Sequence, residues 1–338
     1  MSDIAVRGNR AGWRDRLGVA GSVSAGLDAR RVLQLILAAI WLLDGVLQYQ
    51  SFMYTKAFTQ MIGATSSGNP VIVAHPINWN ATLVQHHLVL LNTIFATIQL
   101  LLGLGIAYRP TVRLALAASI VWSLGVWWFG EGLGGVLSGA ASPLNGAPGA
   151  VIIYALLAVL LWPSDRITAS GAPAPFVAAR AVGAGVARGL WVVLWGSLAY
   201  FALTPASRAP TALHDMVAGM VSGEPGWLAA LDRHAAALAG HSGLTASIVL
   251  AAALAVIALG VFLPPPAGRA TLILALVVAA VIWVIGEAFG TILTGGGTDP
   301  NSGPLLALLA LAYWPLASAT APPARVLLTD QDTEGTPA

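Results

Sequence analysis

Few side chains in this sequence can do chemistry, and they fall at regular intervals. Asp44 interrupts an otherwise apolar run and is followed one helical turn later by Gln48. Gln85, Asn92 and Gln99 are spaced by seven, which lines them along one helical face next to the pair His86 and His87. Glu131 closes a further apolar run inside Trp127-Trp128-Phe129-Gly130-Glu131-Gly132. Polar groups among apolar spans are costly unless they are partnered or face a cavity. Each therefore marks either an interhelical hydrogen bond or a place where a ligand or proton is handled. Imidazole and carboxylate together suit proton exchange with a bound molecule. Asp44, Gln48, His86, His87, Asn92 and Glu131 are the candidates for such a site, with His86 expected against Glu131.

The Gly-Glu step recurs. Trp283-Val284-Ile285-Gly286-Glu287-Ala288-Phe289-Gly290 stands 156 residues further on, from Glu131 to Glu287. Each copy is followed by a Pro/Gly loop, a second apolar run and a Trp-Pro pair, Trp162-Pro163 and Trp314-Pro315. His241 and Glu287 are then the structural counterparts of His86 and Glu131, and Arg269 of Arg113. The second copy puts Gly240, Ser247 and Leu254 where the first has its polar stripe, and has no acid matching Asp44. That asymmetry assigns function to the first copy and packing to the second.

His214, Met216 and Met220 offer imidazole and thioether, which suit copper. Leu213, Met216, Val217 and Met220 equally make the apolar face of a helix lying at an interface. With no cysteine in the chain, disulfides, thiolate metal sites and dithiol redox centres are excluded. The glycine clusters follow apolar spans rather than strands, so they are not nucleotide loops or nucleophile elbows.

The elements that must position these groups are membrane helices. Of 338 residues only 9% are charged and 57% are hydrophobic, too little polar surface to clothe a soluble protein of this length. Several runs approach the roughly 20 apolar residues that cross a bilayer. The expected fold is all-α, a polytopic membrane protein of about eight transmembrane helices arranged as two parallel four-helix repeats. Residues 1–31 read as a cytoplasmic tail, 32–163 as the first repeat, 164–188 as a cytoplasmic linker, 189–319 as the second repeat, and 320–338 as a disordered cytoplasmic tail. The second span is read from about Val84, the fifth from about Leu190, and the fourth, fifth and eighth are short for a full crossing. Of the sixteen basic residues only Lys56, Arg208 and Arg233 fall on the outer side, which places both termini in the cytoplasm of a cell whose plasma membrane holds the chain. In that setting the basic excess is a topology signal and not a nucleic-acid footprint. The bilayer is the first partner, with other membrane or envelope proteins possible beside it.

Each half resembles the DoxX-like family of small four-span membrane proteins. The resemblance rests on a first span broken by Asp44-Gly45, an outer loop, and a second span opening with Gln85-His86-His87. It continues in the short basic turn Tyr108-Arg109-Pro110-Thr111-Val112-Arg113 before an Ala/Leu-rich third span. It implies a role in membrane redox chemistry with quinones or sulfur compounds. Three functions stand open on the residues: a redox-associated component binding a quinone or another small molecule, a transporter or copper-handling permease, and a non-catalytic scaffold of an envelope complex. A quinone needs an apolar slot with a polar end, which Trp127, Trp128 and Phe129 beside Glu131 could supply. Nothing in the sequence settles whether the protein is an enzyme.

Overall fold

The computed structural model describes residues 28–165 and 173–316. The expected terminal tails, apart from Asp28 to Arg31, and part of the linker lie outside the described residues. The first half runs α1 (Ala29–Leu47), α2 (Lys56–Ala64), α3 (Val71–His86), α4 (Leu88–Ala107), α5 (Val112–Phe129) and α6 (Ala150–Leu160). After a short α7 (Val177–Val182), the second half runs α8 (Ala184–Ala202), α9 (Ala212–Met220), α10 (Gly226–Ala239), α11 (Gly243–Gly260), α12 (Ala267–Val281) and α13 (Ser302–Ala312). Among the described residues the fold is all-helical; the one extended pairing is an isolated bridge between Phe176 and Pro315.

Five segments are long and apolar enough to cross a membrane: Leu88–Ala107, Arg109–Phe129, Ala184–Ala202, Gly243–Gly260 and Ala267–Gly286. Their outward faces are bare hydrocarbon: Val121 is 73% and Val193 70% exposed. Apolar surface on that scale belongs against lipid, so the bundle is built as a membrane-embedded protein.

Three boundaries differ from the sequence reading. The segment expected as an outer loop holds two helices, α2 and α3, because its apolar residues bury Met53, Phe58, Ile62, Val73 and Ile77 in a small core of their own. The second span starts at Leu88, since His87 breaks the helix with φ −127° and ψ 36°. Gln85 therefore lies on α3 while Asn92 and Gln99 lie on α4, and the three do not form one stripe. The fifth span begins at Ala184 and is a 19-residue helix, long enough to cross. α6 and α13, where the fourth and eighth spans are expected, are short apolar helices of 11 residues each, or ~16 Å at 1.5 Å per residue.

Side chains complete these short elements. Beyond the end of α6, Gln34 Nε2 donates to the Leu161 carbonyl at 2.8 Å and Arg113 to the Pro163 carbonyl at 3.3 Å. Arg31 does the same for α4, donating to the carbonyls of Ile106 and Ala107. Cationic donors at helix C-termini satisfy orphan carbonyls and meet the negative end of the macrodipole. The basic residues at this end of the bundle thus have structural work. Between α1 and α4 the backbones touch at Gly103, where a Cβ would lie 2.8 Å from the Ala38 carbonyl oxygen. Small residues allow such approach in membrane bundles. Tyr154 and Trp41, their ring centroids 4.3 Å apart, fill the space between α1 and α6.

Beyond the apolar spans, an ion network ties the start of α1 to α7. Arg30 meets Asp165 at 2.5 Å, and Arg180 bridges Asp165 at 2.8 Å and Asp28 at 2.6 Å. The Arg180 hydrogen bond holds the Asp165 carboxyl below its usual range. A depressed folded-state carboxylate stabilises above its unfolded pKa of about 4 and loses that contribution as pH falls through the folded value. Arg180→Ala should therefore lower the unfolding temperature at pH 7 by a few degrees. The gap from wild type should close below about pH 4, and a gap unchanged by acid would exclude the ion pair as its source.

Candidate functional site

The glutamates of the repeated Gly-Glu step face helix N-termini, not histidines. Glu287 Oε1 accepts from the Ser302 N–H at 3.1 Å and from the Ser302 hydroxyl, and Oε2 accepts from the Gly303 N–H at 3.0 Å. Glu131 Oε1 accepts from the Val151 N–H at 3.4 Å. Each carboxyl thus caps the short helix that follows, where unpaired N–H groups and the positive end of the dipole favour it. This corrects the expected pairing with His86 and His241. His86 Nδ1 contacts the carbonyl of Thr82 in its own helix at 2.7 Å, and His86, His87 and His241 are exposed.

The two caps differ in one respect that bears on function. Both Glu287 oxygens are satisfied, whereas Glu131 Oε2 is buried without a hydrogen-bond partner. Glu131 lines a cavity of about 790 Å³ in the first half, bounded by α1, α2, α3, α4, α5 and the start of α6. That volume lies in the range of sites for small organic ligands, ~300–1,000 Å³. Asp44, Gln48 and Gln99 also line it. Asp44 is 2% exposed; its Oδ2 accepts from the Tyr154 hydroxyl at 2.5 Å, and its Oδ1 has no partner. Asn92 stands one layer behind, accepting from Gln48 Nε2 at 2.6 Å and donating to the Gln48 carbonyl at 2.8 Å. That reciprocal pair is an interhelical lock between α1 and α4, and it holds Gln48 at the cavity wall.

The aromatic wall is not the one expected. Of the sequential trio only Phe129 lines the cavity. Trp127 donates to the Pro148 carbonyl at 2.6 Å, and Trp128 donates to the Ile72 carbonyl at 3.4 Å. The wall is supplied by Trp41, Phe58, Trp79, Phe95 and Trp122, with Phe95 and Trp122 edge to face at 5.6 Å across α4 and α5. The rim includes Val121, exposed on α5 seven residues after exposed Leu114, so the cavity opens toward the lipid-facing surface. Gly125 lines the same wall, and a Cβ there would meet nothing within 4 Å.

Asp299, on the loop before α13, reaches the cavity from the second half and was missed by sequence reasoning. Its carboxyl accepts from the Thr298 hydroxyl and the Asn301 N–H, both at 2.7 Å. The halves exchange these loops. The loop before α6 packs on the end of α12, where a Cβ on Gly286 would lie 2.6 Å from the Leu144 carbonyl oxygen. Gln50, past the end of α1, donates to the Gly297 carbonyl at 3.1 Å. The aligned loops read Ala147-Pro148-Gly149 and Asp299-Pro300-Asn301, so an acid stands in one copy where the other has alanine. That difference was the available signal.

His214 contacts the adjacent Asp215 at 3.1 Å, and Met216 lines a separate small pocket toward α11. Among the described residues no three His, Cys, Asp or Glu side chains are grouped closely enough to hold a metal ion. Compared with known proteins, the chain matches no family model, no curated protein and no solved structure.

Proposed function

We propose that this is a ligand-binding membrane protein that takes a small amphipathic molecule from the bilayer into the cavity of its first half. The observation that carries the reading is the cavity itself, with aromatic walls, a lipid-side rim, and carboxyl oxygens of Asp44 and Glu131 left without partners. Buried acceptors without donors are costly, and a ligand that brings a hydrogen-bond donor removes that cost. A quinol has such donors, which keeps a membrane redox role of the DoxX-like kind within the reading. A permease is the second reading, favoured by Asp299, because a site shared between the halves is one that movement between them would alter.

The architecture proposed with it is eight membrane helices as two parallel repeats in the plasma membrane, both termini in the cytoplasm. Supporting it, helix lengths of 19, 9, 16, 20, 18 and 11 residues are followed, after α7, by 19, 9, 14, 18, 15 and 11. The basic residues Arg30, Arg31, Arg109, Arg113 and Arg180 also gather at one end of the bundle, as a cytoplasmic face requires.

The test is to fill the cavity. Gly125→Leu adds a side chain where there is room for one, so the fold should persist while the ligand is excluded. Organic extracts of purified wild type should contain a lipophilic compound that is at least tenfold depleted in Gly125→Leu at equal protein. Extracts indistinguishable by mass spectrometry would refute the ligand site.

A further inference from the structure

Resting on the reading of the first-half cavity as a ligand site, we propose that its occupant is an organic cation. The ligand is an amphipathic ammonium whose charged end sits at Asp44 and Glu131 and whose apolar end lies among the aromatic rings.

Charge is the first argument. Asp44, Glu131 and Asp299 all line the cavity, and its lining residues include no lysine, arginine or histidine. Three carboxyl groups lining one low-dielectric space repel one another when ionised, and a positive guest turns that repulsion into attraction. Hydrogen bonding is the second. The buried polar atoms of this wall that lack a partner are all acceptors: Asp44 Oδ1, Gln99 Oε1 and Glu131 Oε2. Three donors of the wall are already engaged, Tyr154 on Asp44, Trp41 on Ser119 and Gln48 on Asn92. A quinone presents only carbonyl acceptors and leaves the carboxyl oxygens unpaired, and a quinol presents hydroxyl donors but no charge. A protonated amine presents both charge and donors.

The aromatic rings supply the third argument. Trp41, Phe95 and Trp122 border the same space as Asp44, and the negative faces of such rings attract cations. An inorganic cation would need a tight shell of oxygen ligands, and among the described residues no three His, Cys, Asp or Glu side chains are grouped closely enough to supply its charged members. Tyr154 acts here as a positioning residue. By binding Asp44 Oδ2 it leaves Oδ1 as the free acceptor.

The experiment uses the full-length protein in nanodiscs of zwitterionic lipid, with radiolabelled dodecylamine, protonated at pH 7, as the cationic probe. Uncharged dodecanol and a short-chain ubiquinol serve as competitors. Wild type should bind the cation saturably, with neither neutral compound competing. Asp44→Asn should weaken binding tenfold or more, and Gly125→Leu should abolish it. Glu131→Gln is the second variant should Asp44→Asn not yield folded protein, judged by thermal unfolding, and it should weaken binding in the same sense. Absence of saturable binding of the cation overturns the proposal. Competition by a neutral compound, with the charge variants binding as wild type does, also overturns it but leaves the cavity as a ligand site. If in addition the extracts of Gly125→Leu match those of wild type, the ligand site itself falls.

Discussion

Glu287→Ala should be the most destabilising single substitution at the paired glutamates, costing about 3 kcal/mol or more. The carboxyl it removes is 2% exposed and accepts from two N–H groups and one hydroxyl at the start of α13. Each buried donor left without a partner costs ~1–3 kcal/mol. The positive end of α13 would lose its compensating charge as well. Little can relax to replace it, since Ser302 is itself 1% exposed and Gly303 packs so closely that a Cβ would lie 2.2 Å from the Trp283 Cβ. Glu131→Ala removes a single bond of 3.4 Å and a carboxyl oxygen that had no partner, so it should cost far less stability. The check is thermal unfolding of both variants in the same detergent. The ranking would be wrong if Glu131→Ala proved the less stable of the two.

Gly149→Ala is the second large effect, and it arises from a single methyl group. Gly149 has φ 111° and ψ 137°, a conformation that L-residues adopt at a cost of ~1–3 kcal/mol. An added Cβ would also lie 2.2 Å from Glu131 Oε2 and 3.0 Å from Trp127 Cδ1. Backbone strain and steric conflict act together, so the loss should reach about 3 kcal/mol, and Glu131 would be pushed off the N-terminus of α6. The expected outcome is poor yield, with what folds having lost the extractable ligand. Wild-type stability in Gly149→Ala would mean that the loop before α6 can move aside, which the Trp127 bond to the Pro148 carbonyl at 2.6 Å opposes.

Much of this site could be read without coordinates, for a physical reason. In a chain so poor in charge, any acid among apolar residues has to be partnered or exposed to a cavity, which marks Asp44, and marks Glu131 together with the recurrence of its Gly-Glu step. Asn92 and Gln48 were legible as polar residues but not as partners of each other. The histidines misled because continuity was assumed through His87. With the break there, His86 ends a separate helix and its ring turns back to Thr82. The role of Glu287 as a cap required knowing that its carboxyl, fifteen residues away in sequence, returns to the start of α13, whose local mark, the N-cap Asn301, says nothing of a distant partner. Asp299 was out of reach in a different way. It lies beside the first-half cavity only because the two halves trade loops, a fact of tertiary packing that no local pattern encodes.

That exchange sets a condition on biogenesis. Helices α1 to α6 can enter the bilayer and pair with one another as they leave the ribosome, yet the pocket they surround lacks its third carboxyl until residue 299 has been synthesised and folded back. The loop before α6, in turn, waits for the end of α12 before it has a surface to rest on. Each half is therefore the last assembly step of the other. The pocket with all three carboxyls is thus a property of the two halves together, which neither carries alone.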